Sequence, residues 1–191
     1  MIEQKIVLPC GAIVKNRFLK SAMTEGLANS NAIANKRHNN LYERWAKGGI
    51  GVSVTGNVQV DHRYIERAGN VVIEGTQSNE SLSALDDLSK SWTQNNTHLW
   101  MKLSHAGRQT PFSINKESRA PSVKPLPTMG GILKFGVPKE LSHSEILNII
   151  DRFVNAAEVA KQTGFTGIQL HSAHGYLLSE FLSPNVNQRT D

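Results

Sequence analysis

Apolar residues recur at helical spacing between residues 143 and 163, where Ile146, Ile149, Ile150, Phe153, Val154, Ala157 and Ala160 share one face. Ser142 followed by Glu145 makes a capping box at the start, and Gly164 supplies a left-handed stop. The next segment, FTGIQL, is too short and too apolar to be anything but a buried strand, and it delivers His171 at its carboxyl end. This unit of helix, glycine, strand and polar loop occurs twice more. Leu41, Trp45 and Ala46 mark a helix that closes at Gly48 and Gly49, after which IGVSVT forms a strand opening into Gly56, Asn57 and Asp61. Leu82, Leu85, Leu88 and Trp92 mark a helix to about Asn96, and HLWMKLS is a strand opening into His105, Gly107, Arg108 and Gln109. Ahead of all three, RFLKSAM is a strand leading into Thr24, and Pro9 and Gly11 punctuate a short hairpin over residues 5 to 14.

Four strands alternating with three helices, each strand ending in polar residues, predict an α/β fold with a parallel sheet and helices on its outer face. In such folds the chemistry gathers at the carboxyl ends of the strands. No G-x-G-x-x-G follows any strand, which favours a TIM (β/α)8 barrel over a doubly wound sheet. A complete barrel takes about 250 residues. With 191 residues and four strands, the expectation is a single partial domain over 1–191, an amino-terminal half-barrel preceded by a β-hairpin. Residues 110–141 hold Pro111, Pro121, Pro125, Pro127, Gly130, Gly131, Gly136 and Pro138, too many breakers for a long element. That stretch is expected to hang over the strand ends as a lid-like loop.

Composition narrows the function classes. With 39% hydrophobic and 19% charged residues the chain is a folded protein, and neither a membrane span nor a signal-peptide core is visible, so a cytoplasmic location is expected. The formal charge of +5 is scattered, with no basic run longer than Lys36-Arg37, which argues against a nucleic-acid partner. A single cysteine, Cys10, excludes an internal disulfide and a cysteine-rich zinc site.

The strand ends carry the candidate chemistry. His171, His174 and Tyr176 leave one strand together, so two imidazoles could donate to a carbonyl oxygen while a phenol protonates a neighbouring carbon. The plainer alternative is a buried, satisfied histidine and a packing tyrosine. His171, His174 and His105 could instead converge on zinc in a metal hydrolase, although neither Asp61 nor Glu180 has an obvious ligand geometry. Lys102 is placed inside the barrel with His105, Arg108 and Gln109 above it. A cation there suits an electron-rich ring or a phosphate, or Arg108 ties two loops by a salt bridge. Thr24 suits a heteroaromatic ring or its own loop backbone.

The segments NRFLKSAMT, WAKGGIGVSVTGNV, LSHAGRQ, GFTGIQLHSAHGYLLSEFLSP and NQRTD together resemble the Old Yellow Enzyme family of flavin-dependent NADH:flavin oxidoreductases and ene-reductases. The resemblance implies an FMN-containing barrel that takes hydride from NADH or NADPH and passes it to the alkene of a small α,β-unsaturated carbonyl compound. It makes His171 and His174 the pair that binds the substrate carbonyl, and Tyr176 the proton donor. Ala22, Met23 and Thr24 fall beside the flavin, and Gly56 becomes the small residue that admits its ring. Lys102 stands where the family usually has glutamine, which predicts an altered flavin potential. The resemblance also implies that this is an amino-terminal half, cut in the loop after the fourth strand, with the flavin phosphate site in the missing half. A half-barrel with open strand edges is expected to self-associate or to pair with a complementary half. A non-catalytic or truncated inactive half-barrel is the alternative.

Overall fold

In a computed structural model, which describes residues 1–93, 96–128, 130 and 132–191, the strands in chain order are β1 (Ile6–Val7), β2 (Ile13–Val14), β3 (Leu19–Lys20), β4 (Val52–Gln59), β5 (His98–Ser104), β6 (Glu117–Ala120), β7 (Val137–Glu140) and β8 (Gly167–Leu170). The expected hairpin is present, with β1 antiparallel to β2 and Ile6 opposite Val14. The four principal strands form one parallel sheet in the order β3, β4, β5, β8. Helices α1 (Lys36–Lys47), α2 (Asn79–Thr93) and α3 (His143–Gln162) lie between them in the chain, as parallel neighbours require long crossovers. The fold is a partial α/β barrel of four strands. The predicted end of the second helix falls partly on residues 94 and 95, and one expected breaker is Gly131; all three lie outside the described residues.

Register decides what each face of the sheet presents. Asn57, Lys102 and Gln169 are lateral partners, and because side chains alternate, Leu99, Met101 and Leu103 point to the other face. There they pack with Tyr42, Leu85, Trp92 and Phe165 in the main core, where fully burying one such aliphatic side chain contributes about 1.5–3 kcal/mol. In α1 the buried stripe runs through His38, Tyr42 and Ala46, four residues apart, with Leu41 and Trp45 only flanking it. In α3 the expected capping box is formed reciprocally by Ser142 and Glu145, but Ile150 and Val154 are exposed. Ile146, Ile149, Ile150 and Phe153 instead line an apolar groove completed by Leu177 and Phe181.

The first strand is shorter than its apolar run because side chains take over its pairing with β4. Beyond Lys20 the Val54 carbonyl accepts from the Lys20 ammonium at 2.8 Å, and the Gly56 N–H donates to Glu25 Oε1 at 2.9 Å. The β4 strand runs on past Thr55, where turn-forming residues predicted a loop, by means of a bulge between Val54 and Asn57. At the bulge the Lys102 N–H donates to Thr55 Oγ1 at 2.9 Å.

Residues 110–141 exclude any long element but hold the short parallel pair β6 and β7, with Pro138 tolerated on an edge strand. Arg189 grips this segment through the Leu141 carbonyl, the Pro121 carbonyl and Glu140.

Helix α4 (Leu177–Leu182) turns Glu180 into the protein, against the short helical turn at Gly107–Gln109. Its Oε1 accepts the Arg108 N–H at 2.9 Å, while Oε2 is buried without a partner among the described residues. Burial pushes the Glu180 carboxyl up to about 8, against the opposing pull of the Arg108 N–H and charge. Because an unfolded glutamate titrates near 4.5, folding retains a proton that the unfolded chain releases, and stability drops as pH rises between those values. Glu180→Gln is therefore expected to raise the melting temperature at about pH 8 and to change it little below about pH 4. A melting series across pH checks this; identical pH slopes in the two proteins would contradict it.

Candidate active site

The ladder between β5 and β8 extends one residue past Leu170, because the His171 N–H donates to the Leu103 carbonyl at 2.9 Å. The chain then bends through two left-handed residues, His174 at φ 59° and Gly175 at φ 74°. This bend gathers the trio: the His171 ring centroid lies 5.3 Å from that of His174 and 4.7 Å from that of Tyr176. Burial, helped by the charge of Lys102 and the proximity of His174, pushes the His171 imidazole down to about 4, so the ring is neutral at neutral pH. Its Nδ1 accepts the Ala173 N–H at 3.4 Å, which leaves Nε2 to carry the proton and act as a donor. His174 is exposed, and its carbonyl accepts from Gln109 Nε2 at 2.5 Å.

Glu66, on the loop after β4, is a residue the sequence reading missed. It accepts from the Thr24 hydroxyl at 2.6 Å, from Asn57 at 2.7 Å, from Asn70 at 3.2 Å and from the Tyr176 phenol. Burial alone would raise its carboxyl, but these four donors hold it below the usual glutamate range. The Tyr176 phenol is raised well above its ordinary value by burial and by its bond to this carboxylate. Nothing in YIERAGN has helical or strand spacing, and an acid flanked by arginine resembles surface charge. The one available signal was its position just beyond a strand end.

Lys102 is half-buried, and burial lowers its pKa against the opposing charge of Glu66. Its ammonium donates no hydrogen bond among the described residues. Ala22 and Thr24 are half-buried and Met23 is half-exposed beside the same strand ends. At Gly56 a Cβ would meet Glu25 Oε2 at 2.2 Å and the Met23 carbonyl at 2.5 Å, so the first-strand segment already demands glycine there. An open cavity of about 700 Å³ is lined by Glu66, Gln109 and Tyr176, with Pro111, Ile114 and Phe135 from the 110–141 segment.

Two of the alternatives left open by the sequence are not formed. His105 does not join the trio: it is buried beside Tyr64, ring centroids 5.3 Å apart, with burial pushing it down to about 4. Among the described residues the acid and imidazole groups close enough to share an ion are Asp61, His62 and Glu74, so the His105, His171 and His174 zinc site is not formed. Arg108 faces the Lys124 carbonyl at 3.0 Å and so links loops, through a carbonyl and not the salt bridge considered for it.

A model of the NADH:flavin oxidoreductase / NADH oxidase family matches residues 11–191. The chain is 35% identical to the NADH-dependent flavin oxidoreductase iliE of Hypocrea jecorina, over 97% of this chain and 50% of that protein. It is 37% identical to the NADH-dependent flavin oxidoreductase nadA of Aspergillus parasiticus, over 92% of this chain and 42% of that protein. The chain thus spans about half the length of the curated relatives it matches. The old yellow enzyme homologue from Zymomonas mobilis superposes over 100% of this chain and 53% of its own, with TM-score 0.86 at 22% identity, a likeness of fold. On the match over residues 11–191 and the relatives above 30% identity, the chain belongs to the NADH:flavin oxidoreductase / NADH oxidase family.

Proposed function

We propose that this chain carries the substrate-activating residues of an FMN-dependent oxidoreductase that moves hydride from NADH or NADPH to the alkene of an α,β-unsaturated carbonyl compound. The observation that carries this reading is the trio itself: a neutral imidazole with its proton on Nε2, a second exposed imidazole and a phenol, in ring contact at the carboxyl end of a parallel sheet. Hydride arriving at the β-carbon leaves negative charge on the carbonyl oxygen. His171 and His174 stabilise that charge as donors, and Tyr176 delivers a proton to the α-carbon.

The residues present fit a flavin. The Lys102 ammonium, which donates no hydrogen bond among the described residues, and the Thr24 hydroxyl oxygen, whose proton goes to Glu66, are the polar groups such a heterocycle can use, and Ala22, Met23 and Gly56 would line it. When bound, FMN supplies the hydride chemistry. Lys102 holds positive charge beside the site, which favours a reduced, anionic ring. The 110–141 segment acts as a lid, since it contributes one wall of the cavity above Glu66 and Tyr176.

A second reading, an assembly unit that pairs with itself or with a complementary half-barrel, is favoured by the open β8 edge, where Ile168 is 39% and Leu170 51% exposed. Among the described residues no helix is long and apolar enough to cross a membrane.

With FMN bound, Tyr176→Phe is expected to slow reoxidation of reduced flavin by an unsaturated ketone about a hundredfold while leaving reduction by NADH unchanged. Stopped-flow absorbance separates the two half-reactions, and unchanged reoxidation would refute the proton-donor role. Lys102→Gln should make the flavin potential more negative, because a cation that stabilises the reduced anion is lost; equal potentials by redox titration would count against this. Sedimentation of the purified protein should show species larger than one chain, and a sharply monomeric protein with a cooperative melt would dismiss the open-edge argument.

A further inference from the structure

We infer that Glu66 is a positioning residue for the proton donor: its carboxylate ties the Tyr176 phenol to three other strand ends and loops and governs when that phenol can release its proton. The inference rests on the reading of Tyr176 as the donor. A carboxylate has about four lone-pair sites. All are occupied here, Oε1 by Thr24 and Asn70, Oε2 by Asn57 and Tyr176. The donors come from separate parts of the chain: Thr24 follows β3, Asn57 lies in β4, Asn70 lies on the return of the loop, and Tyr176 follows β8. Asn70 is itself fixed, donating to the Asn57 carbonyl at 3.1 Å and accepting the Arg67 N–H at 3.2 Å. The Glu66 side chain is only 7% exposed, so water competes little for these bonds.

The arrangement restrains the phenol. Its hydrogen points to Glu66, so delivery to a substrate carbon requires that hydrogen to turn away from the carboxylate. In the transfer the Tyr176 O–H bond breaks as the new C–H bond forms, and the phenolate left behind recovers a proton from water. A phenolate against an ionised Glu66 sets two negative charges side by side, which opposes departure of the proton and favours its return. The charged groups facing the pair are Arg67, whose Nε is 4.0 Å from Glu66 and whose charge eases phenol ionisation, and Lys102, which interacts with Glu66 across the strand ends; the titratable His171 faces them too, in its neutral form. Burial of Tyr176 is the largest contribution to the raised phenol, with the Glu66 bond and charge next.

Ultraviolet titration of phenolate, taken as the difference from Tyr176→Phe, isolates this tyrosine from Tyr42 and Tyr64. In the unsubstituted protein the difference is expected to stay flat through the ordinary phenol range near pH 10. In Glu66→Gln it should move down toward that range by at least about one pH unit, burial holding the remainder of the elevation, and Glu66→Asp, which keeps the charge, should retain most of the elevation. Coincident titration of Tyr176 in the unsubstituted and Gln proteins, both folded by circular dichroism, would overturn the inference. A second check leaves Glu66 unsubstituted and uses Tyr176→Phe only to assign a resonance. The tyrosine Cζ resonance lost in Tyr176→Phe should move as Glu66 protonates on the acid side of the ordinary glutamate range, and a flat resonance there would equally overturn the inference. Neither readout uses flavin or substrate. Failure of the alkene-reduction reading shows instead in the Tyr176→Phe kinetics.

Discussion

A buried strand must pair its backbone polar groups inside the protein, and β4 is buried over all eight of its residues. Its demands shape everything around the site. The Val54 carbonyl recruits Lys20, the Gly56 N–H recruits Glu25, and Asn57 recruits Glu66. Glu25 in turn is bonded by the Tyr42 hydroxyl, which anchors α1 to the sheet. The segment leading to Thr24 is therefore held to β4 largely by side chains, although the backbone ladder between them is only two residues long.

Charge at the strand ends follows from the same packing. Lys102 and Glu66 lie close enough to influence one another, and His171 is kept neutral partly because Lys102 is near. A neutral imidazole beside a cation remains a directional donor and does not compete with the carboxylate for protons. The site thus keeps one negative and one positive group, each half-shielded or better, around a trio whose members are uncharged or solvent-facing.

Much of this was legible in the sequence, where a local signal coincided with a physical demand. The 3.6-residue spacing of α3, its Ser142 and Glu145 box and the glycine after it specify that helix by local rules. HLWMKLS is a strand by composition and the structure agrees over the same residues. The family resemblance and the trio at the end of FTGIQL were also visible there. What local rules miss is whatever depends on a distant partner. His38 and Tyr42 define the buried face of α1 because Glu25 and the sheet lie beneath them, and polar residues score poorly as core. Glu66 matters because Thr24, Asn57, Asn70 and Tyr176 converge on it, and two of those contacts, to Thr24 and Tyr176, span 42 and 110 residues of chain. His105 looked like a site residue by position, but Tyr64 covers it.

The grip of Arg189 reaches beyond local packing. Its guanidinium touches carbonyls at Pro121 and Leu141 and a carboxylate at Glu140, while the Gln188 N–H donates to Ser122 at 3.0 Å. The stretch after α4 and the 110–141 segment are thereby stitched at several points across a large sequence separation. Because one guanidinium supplies the bonds to Pro121, Glu140 and Leu141, losing the Arg189 side chain removes all of them at once. The same segment that Arg189 holds at Pro121 and Leu141 also supplies Pro111, Ile114 and Phe135 to the cavity above Tyr176, so the last residues of the chain and one wall of that cavity belong to a connected set of contacts.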